Sequence, residues 1–162
     1  MALGETLIAG SAIRGRLQEL AREIGAALPP GPLHCVIVLK SALFFAVDLI
    51  RALDREATLG FLTASSYGDG TESSGEVRLD LGALGQVEGR HVLLFDDILD
   101  TGHTLLAARG ALRALGPASL RTCVLLDKPS RRRAKIEADH VGFTIEDVFV
   151  VGYGLDYNER YR

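Results

Sequence analysis

Val92-Leu93-Leu94-Phe95-Asp96-Asp97-Ile98-Leu99-Asp100-Thr101-Gly102-His103-Thr104-Leu105 runs from apolar to acidic to small residues, and then into a helical pattern. The apolar start reads as a buried strand that ends at Phe95. Three acids, Asp96, Asp97 and Asp100, stand at its mouth, and the turn from Thr101 to Thr104 opens a helix. A strand–turn–helix junction of this kind aims backbone N–H groups and hydroxyls at one spot, which suits a phosphate. Acids beside such a cradle point further, to magnesium, sugar hydroxyls or proton transfer. Aspartate is also an ordinary turn and capping residue. Three of them between a buried strand and Thr-Gly-x-Thr nevertheless favour a site over a solvated loop.

The rest of the chain alternates strands and helices around this segment. Ile13, Leu17, Leu20, Ile24 and Leu28 recur at helical spacing, with Ser11 as the expected cap and Pro29-Pro30-Gly31 as the stop. Leu33–Leu39 is a continuous apolar run, expected as a strand covered on both faces. Ala42–Leu53 reads as a helix and Ala57–Ala64 as a strand. Ser65 to Gly75 is polar and glycine-rich, with no core pattern, and Val77–Leu81 reads as the returning strand. Strands are also expected at His91–Phe95, Leu120–Leu126 and Val148–Tyr153, with a helix over Thr104–Leu115. The pattern predicts a single α/β domain over residues 1–162, a mostly parallel sheet flanked by helices. Ligands in such sheets bind beyond the carboxyl ends of the strands. The polar loops after Leu39, Phe95 and Leu126 are therefore expected to share one crevice.

Composition narrows the classes. The chain is 48% hydrophobic and 24% charged, ordinary for a soluble globular protein. A net charge of −3 disfavours general nucleic-acid binding. Lys40 and Asp48 interrupt the best candidate for a membrane span, so no membrane association is expected. Met1 to Glu5 lacks a basic region followed by an apolar block, so a secretion signal is not expected. Cys35 and Cys123 lie in apolar, strand-like runs and read as buried thiols rather than a disulfide. The expected compartment is the cytoplasm.

The segment around Asp96–Thr104 resembles the phosphoribosyl-diphosphate (PRPP) signature of the type I phosphoribosyltransferases. Further motifs resemble the hypoxanthine-guanine phosphoribosyltransferases, especially their short bacterial form. They are Leu39-Lys40, Ser65-Ser66-Tyr67-Gly68, Leu126-Asp127-Lys128-Pro129, Val141-Gly142-Phe143-Thr144-Ile145 and the stretch from Phe149 to Arg162. They fall in order and cover nearly all of the chain beyond residue 33. The resemblance implies the type I phosphoribosyltransferase fold, with a small hood built from the N-terminal and C-terminal segments. Members of that family continue past the position of Arg162 with a short apolar segment.

The resemblance also distributes roles. Asp96 and Asp97 would hold the ribose hydroxyls, and could meet magnesium through the ribose or water. Asp100, Thr101, Gly102, His103 and Thr104 would hold the 5′-phosphate. Asp100 would be the general base, since the purine nitrogen must lose a proton as it bonds to the sugar. Lys128 would donate to the purine 6-oxygen and disfavour the amino group of adenine. By itself it would be a surface lysine beside Arg131-Arg132-Arg133, a run that reads as a solvated loop. Phe149 would stack on the purine, although by pattern alone it is a core aromatic. Val150 would offer backbone groups to the base edge. Asp156 would meet purine and a Mg2+ ion on the pyrophosphate side. Lys40, Ser41 and Arg162 would hold pyrophosphate, Arg162 as a bidentate fork. The family turn at Lys40 carries an unusual peptide bond before the lysine. Ser66 and Tyr67 would belong to a lid that excludes water from the reacting sugar.

Three departures from the family pattern stand out. Ser41 replaces the usual glycine, and serine resists positive φ. Asp96 replaces a longer glutamate. His103 fills a variable slot, where its backbone N–H matters and its ring is expected to face solvent. The function implied is Mg2+-dependent transfer of a phosphoribosyl group from PRPP to hypoxanthine or guanine, by a dimer or tetramer. Alternatives are the same chemistry on xanthine, adenine or a pyrimidine, or a nucleotide-sensing RNA-binding regulator on the same fold. The acidic balance speaks against the last.

Overall fold

A computed structural model describes residues 3–66 and 76–162. Helix α1 spans Gly10–Ala27, strand β1 Leu33–Leu39, helix α2 Leu43–Leu53 and strand β2 Ala57–Ser66. Strands β3 (Val77–Ala83) and β4 (His91–Leu99) follow, then helix α3 (His103–Ala114) and strand β5 (Ser119–Asp127). A short 3-10 turn at Pro129–Arg131 precedes strand β6 (His140–Thr144). The six strands form one sheet in the order β3-β2-β1-β4-β5-β6. Only the β2–β3 pair is antiparallel.

The central strands are apolar on both faces because helices cover both. On β4, Leu93 and Phe95 join a core with α1 and α2, through Leu20, Ile24, Phe45 and Leu49. Val92 and Leu94 point the other way, to Leu105, Ala108 and Leu112 of α3. Phe45 and Phe95 meet edge to face at 5.7 Å between ring centres. Cys35 and Cys123 are free and buried in the first core, as their apolar neighbours led us to expect. Burial pushes both thiols up, Cys35 to about 12.

Three sequence expectations need correction. Strand β4 does not stop at Phe95 but continues to Leu99, with Asp96 paired to Val124 and Ile98 to Leu126. Asp96 and Asp97 are therefore part of the strand end, which the ladder with β5 holds, and Asp100 begins the turn beyond it. Ser11 does not cap α1, which begins at Gly10 with Ala9 as the flanking residue and no side-chain cap. Val148–Tyr153 is not a strand. The sheet edge is taken by β6, which pairs with β5 from Cys123↔His140 to Asp127↔Thr144. Positive φ at Gly152, Tyr153 and Gly154 then turns the later stretch into a tight loop closed by Gly152↔Leu155.

Because β1, β4 and β5 are adjacent and parallel, their carboxyl ends lie side by side. The N-terminal residues 3–8 face residues 148–153 across a mostly apolar cleft of roughly 490 Å³. Among the described residues, no helix is long and apolar enough to cross a membrane.

Candidate active site

The two leading acids of β4 are unequal. Asp96 is 4% exposed, and Asp97 is half-buried beside it. The Asp97 N–H donates to Asp96 Oδ1 at 3.0 Å, and the Ile98 N–H to Asp97 Oδ1 at 2.8 Å. Burial, and then the Asp97 charge, hold the Asp96 carboxyl well above the ordinary carboxylate range. Burial also raises Asp97, against hydrogen bonds from Asp96, the Ile98 amide and the Ser41 hydroxyl that favour its charged form. Both carboxyls therefore hold their protons to higher pH than exposed carboxyls do.

Beyond β4, the turn from Asp100 to Thr104 is braced from the loop after β5. The Thr101 carbonyl accepts the N–H groups of Arg133 and Ala134, both at 2.9 Å. The Arg132 guanidinium donates to the carbonyls of Leu99 at 3.3 Å, Asp100 at 3.1 Å and Ile136 at 3.2 Å, and pairs with Asp127. Gly102 enters α3 at φ +92°, and a Cβ there would lie 2.6 Å from Ile136 Cγ2. Only glycine meets both conditions. The first N–H groups of a helix have no intrahelical partner, and in α3 they belong to His103, Thr104 and Leu105. These donors stand at the mouth of β4, an arrangement that suits an anion. His103 as a residue is partly exposed. Asp100 is accessible, and its Oδ1 accepts from Arg131 Nε at 2.9 Å.

Lys128 is not a surface lysine. It is 6% exposed, its N–H donates to the Leu99 carbonyl at 2.9 Å, and its Nζ donates to the Val148 carbonyl at 2.6 Å. Asp147 stands 3.9 Å from the same Nζ. A buried ammonium needs such partners, and a carbonyl acceptor can be exchanged for a ligand oxygen. Phe149 is 68% exposed and touches Tyr157 edge to face at 6.0 Å, so it is not the core aromatic its pattern implies. Val150 beside it is half-buried.

The turn after β1 approaches the same strand ends. The Leu39–Lys40 peptide is cis, which matches the expected unusual bond. Ser41 has no positive φ, so serine is accommodated without strain. Lys40 Nζ pairs with Glu159 Oε2 at 3.0 Å, and this exposed contact lowers the Glu159 carboxyl. Arg162 donates to Ser41 Oγ at 3.1 Å and to the Gly154 carbonyl at 2.7 Å, and pairs with Asp156 at 3.2 Å and Glu159 at 3.3 Å. Asp156 Oδ2 accepts the Glu159 N–H at 2.7 Å. A Cβ on Gly154 would lie 2.0 Å from the Ser41 carbonyl oxygen, so the C-terminal loop sits against the β1 turn only because residue 154 is glycine.

Of the two lid residues, Ser66 ends β2, paired with Val77, and Tyr67 lies outside the described residues. Among the described residues, no cluster of three or more His, Cys, Asp or Glu side chains could cage a metal by itself. The partly exposed carboxylates Asp156 and Asp97 could meet a magnesium ion whose remaining ligands are substrate oxygens and water. Sequence reasoning missed Arg131, Arg132, Asp127, Asp147 and Glu159. The only signal for the first two was the Arg131-Arg132-Arg133 run, which reads as solvated until β4 and β5 are paired.

The phosphoribosyl transferase domain family matches residues 5–158. A hypoxanthine-guanine phosphoribosyltransferase of Staphylococcus epidermidis is 46% identical over 152 residues, 90% of this chain and 84% of that protein. The crystal structure of a hypoxanthine phosphoribosyltransferase from Staphylococcus aureus superposes with a TM-score of 0.90 at 43% identity, covering 98% of this chain and 86% of that one. A hypoxanthine-guanine phosphoribosyltransferase from Bacillus anthracis superposes with a TM-score of 0.93 at 38% identity, covering 99% and 95%.

Proposed function

Because the chain belongs to the phosphoribosyltransferase family, we propose that it salvages purines by moving the 5-phosphoribosyl group of PRPP onto hypoxanthine or guanine. The observation that carries this reading is the convergence of three strand ends. The loops after β1, β4 and β5 bring Lys40, the acids of β4, the α3 cradle and the buried Lys128 to one edge of the sheet.

In this reading the 5′-phosphate rests on the N–H groups and hydroxyls of residues 101–104. The ribose hydroxyls meet Asp96 and Asp97. The purine lies against Phe149, its 6-oxygen takes the Lys128 ammonium from the Val148 carbonyl, and its far edge meets the backbone at Val150 and the neighbourhood of Asp156. The ring nitrogen bonds to the anomeric carbon, the bond from that carbon to the pyrophosphate oxygen breaks, and the ring proton passes to Asp100. Pyrophosphate leaves along the turn at Lys40 and Ser41 beside Arg162. Asp156, with Asp97 and Asp96 through the ribose or water, would hold magnesium, which supplies neutralisation of the leaving charge. Ser66 at the end of β2 would help shield the site from water, and residues at both chain ends hood it. The enzyme acts in the cytoplasm as a homo-oligomer, a dimer or tetramer, for which the exposed Leu43, Phe44 and Val47 on α2 offer an apolar face.

Pyrophosphate release from PRPP with magnesium, measured with hypoxanthine, guanine, xanthine and adenine in turn, tests the reading. Turnover of the first two is expected. Strong turnover of adenine would overturn the role of Lys128, and none with any base would overturn the reaction.

A further inference from the structure

A general base needs one carboxylate oxygen steadied and the other open to the incoming proton. Asp100 has this arrangement. Its Oδ1 is held by Arg131 Nε at 2.9 Å, and among the described residues no donor reaches its Oδ2. The holding residue does not float. Arg131 closes the 3-10 turn that begins one residue after Lys128, and its own N–H donates to the Lys128 carbonyl at 3.1 Å. Its Nη1 lies 3.6 Å from Asp147 Oδ2, and Asp147 Oδ1 lies 3.9 Å from Lys128 Nζ. A run of alternating charges thus links Asp100, Arg131, Asp147 and Lys128, from the proton acceptor to the group that reads the 6-oxygen. Arg132 faces the same turn but spends its donors on backbone carbonyls and Asp127, leaving the Asp100 carboxylate to Arg131.

We propose that Arg131 is a positioning residue for the reaction: it aims the free oxygen of Asp100 and, through Asp147, ties that aim to the seating of Lys128. This rests on the assignment of Asp100 and Lys128 made above. The bland alternative is a surface ion pair of no consequence, since exposed pairs contribute little to stability. The two differ in what they affect. A decorative pair leaves kcat alone, whereas an aiming residue acts on the proton-transfer step and not on the hold on PRPP. All three side chains are at least a third exposed, so truncation at Arg131 is compatible with a folded protein.

The test is steady-state kinetics on Arg131→Ala, Arg131→Lys and Asp147→Asn, with melting temperatures, and on Arg131→Ala combined with Asp100→Asn. Arg131→Ala is expected to lower kcat about tenfold with the KM for PRPP and the melting temperature unchanged, as expected when orientation rather than binding is lost. Arg131→Lys should recover part of the loss, and Asp147→Asn should cause a smaller one. In the Asp100→Asn background, Arg131→Ala should cost nothing further, because the group it aims is already gone. A wild-type kcat in Arg131→Ala overturns the proposal. So does the same fold-loss in the Asp100→Asn background, or a loss confined to KM and melting temperature. Absence of turnover in the wild-type chain overturns this proposal and the assigned reaction together. Turnover in wild type with no Arg131 effect overturns this proposal alone.

Discussion

Arg162 reaches Ser41 across 121 positions of sequence, its Nη1 lying 3.1 Å from the serine Oγ. The bond ties the C-terminal loop to the turn after β1, and Gly154 makes it feasible by leaving room for the Ser41 carbonyl. Arg162→Ala should raise the KM for PRPP about tenfold or more, the scale of losing one charge-assisted hydrogen bond to an anionic group. Ser41→Ala should raise it by less, since the guanidinium keeps its bond to the Gly154 carbonyl. Initial-rate titration of PRPP checks both, and an equal effect of the two would contradict this arrangement.

Gly102 combines φ +92° with a space that has no room for a Cβ. Gly102→Ala should destabilise the fold by about 1–3 kcal/mol, the range for a strained backbone position. It should also weaken PRPP binding, because the Thr101–Thr104 cradle would shift. Thermal melting and isothermal titration with PRPP would register the two effects separately.

The Asp96–Asp97 pair sets an unusual pH dependence. Both carboxyls are raised above 3.8 in the folded protein, Asp96 the more so. The folded state therefore binds more protons than the unfolded chain between the unfolded and folded values, and stability falls as pH rises through that window. The contribution is complete below the unfolded value and lost above the folded one. Asp96→Asn should shrink this decline, leaving the smaller part due to Asp97, and raise the melting temperature at neutral pH, while weakening the hold on ribose. Melting curves across pH for both proteins check the sign, and a steeper decline in the variant would refute it.

Lys128 is buried with Val148, Leu99 and Asp147 around it. Lys128→Met keeps the volume and removes the donor. Hypoxanthine kcat/KM should fall about 100-fold or more, since a site built to hydrogen-bond one group discriminates strongly. Adenine should lose far less. Competition assays with the two bases measure the change in ratio, and parallel losses would remove Lys128 as the reader of the 6-oxygen.

Much of this protein is legible in one dimension because its signals are local. The both-face burial of β1 and β4 follows from continuous apolar runs, and the α3 cradle from Thr101-Gly102-His103-Thr104 after a strand. Those runs also set the alternation of strands and helices, and with it one edge on which the loops after β1, β4 and β5 meet. The errors arose where a local pattern competed with pairing. Val148–Tyr153 is as apolar as a strand, but β6 holds the edge of β5, and three positive φ values bend the later stretch away. Phe95 ends the apolar run but not the ladder, which runs through Asp96 and Asp97 to Leu99.

Sequence alone therefore determined the architecture, the Thr101–Thr104 turn and the acids before it, since each depends on neighbours within a few residues. Tertiary structure decided the partners. It placed Arg131 on Asp100, the Val148 carbonyl on Lys128 and Arg162 on Ser41, and it pushed Asp96 into the interior beside Asp97. Burial and charge pairing between distant segments depend on how the strands are ordered across the sheet. The spacing of residues along the chain carries no record of that order.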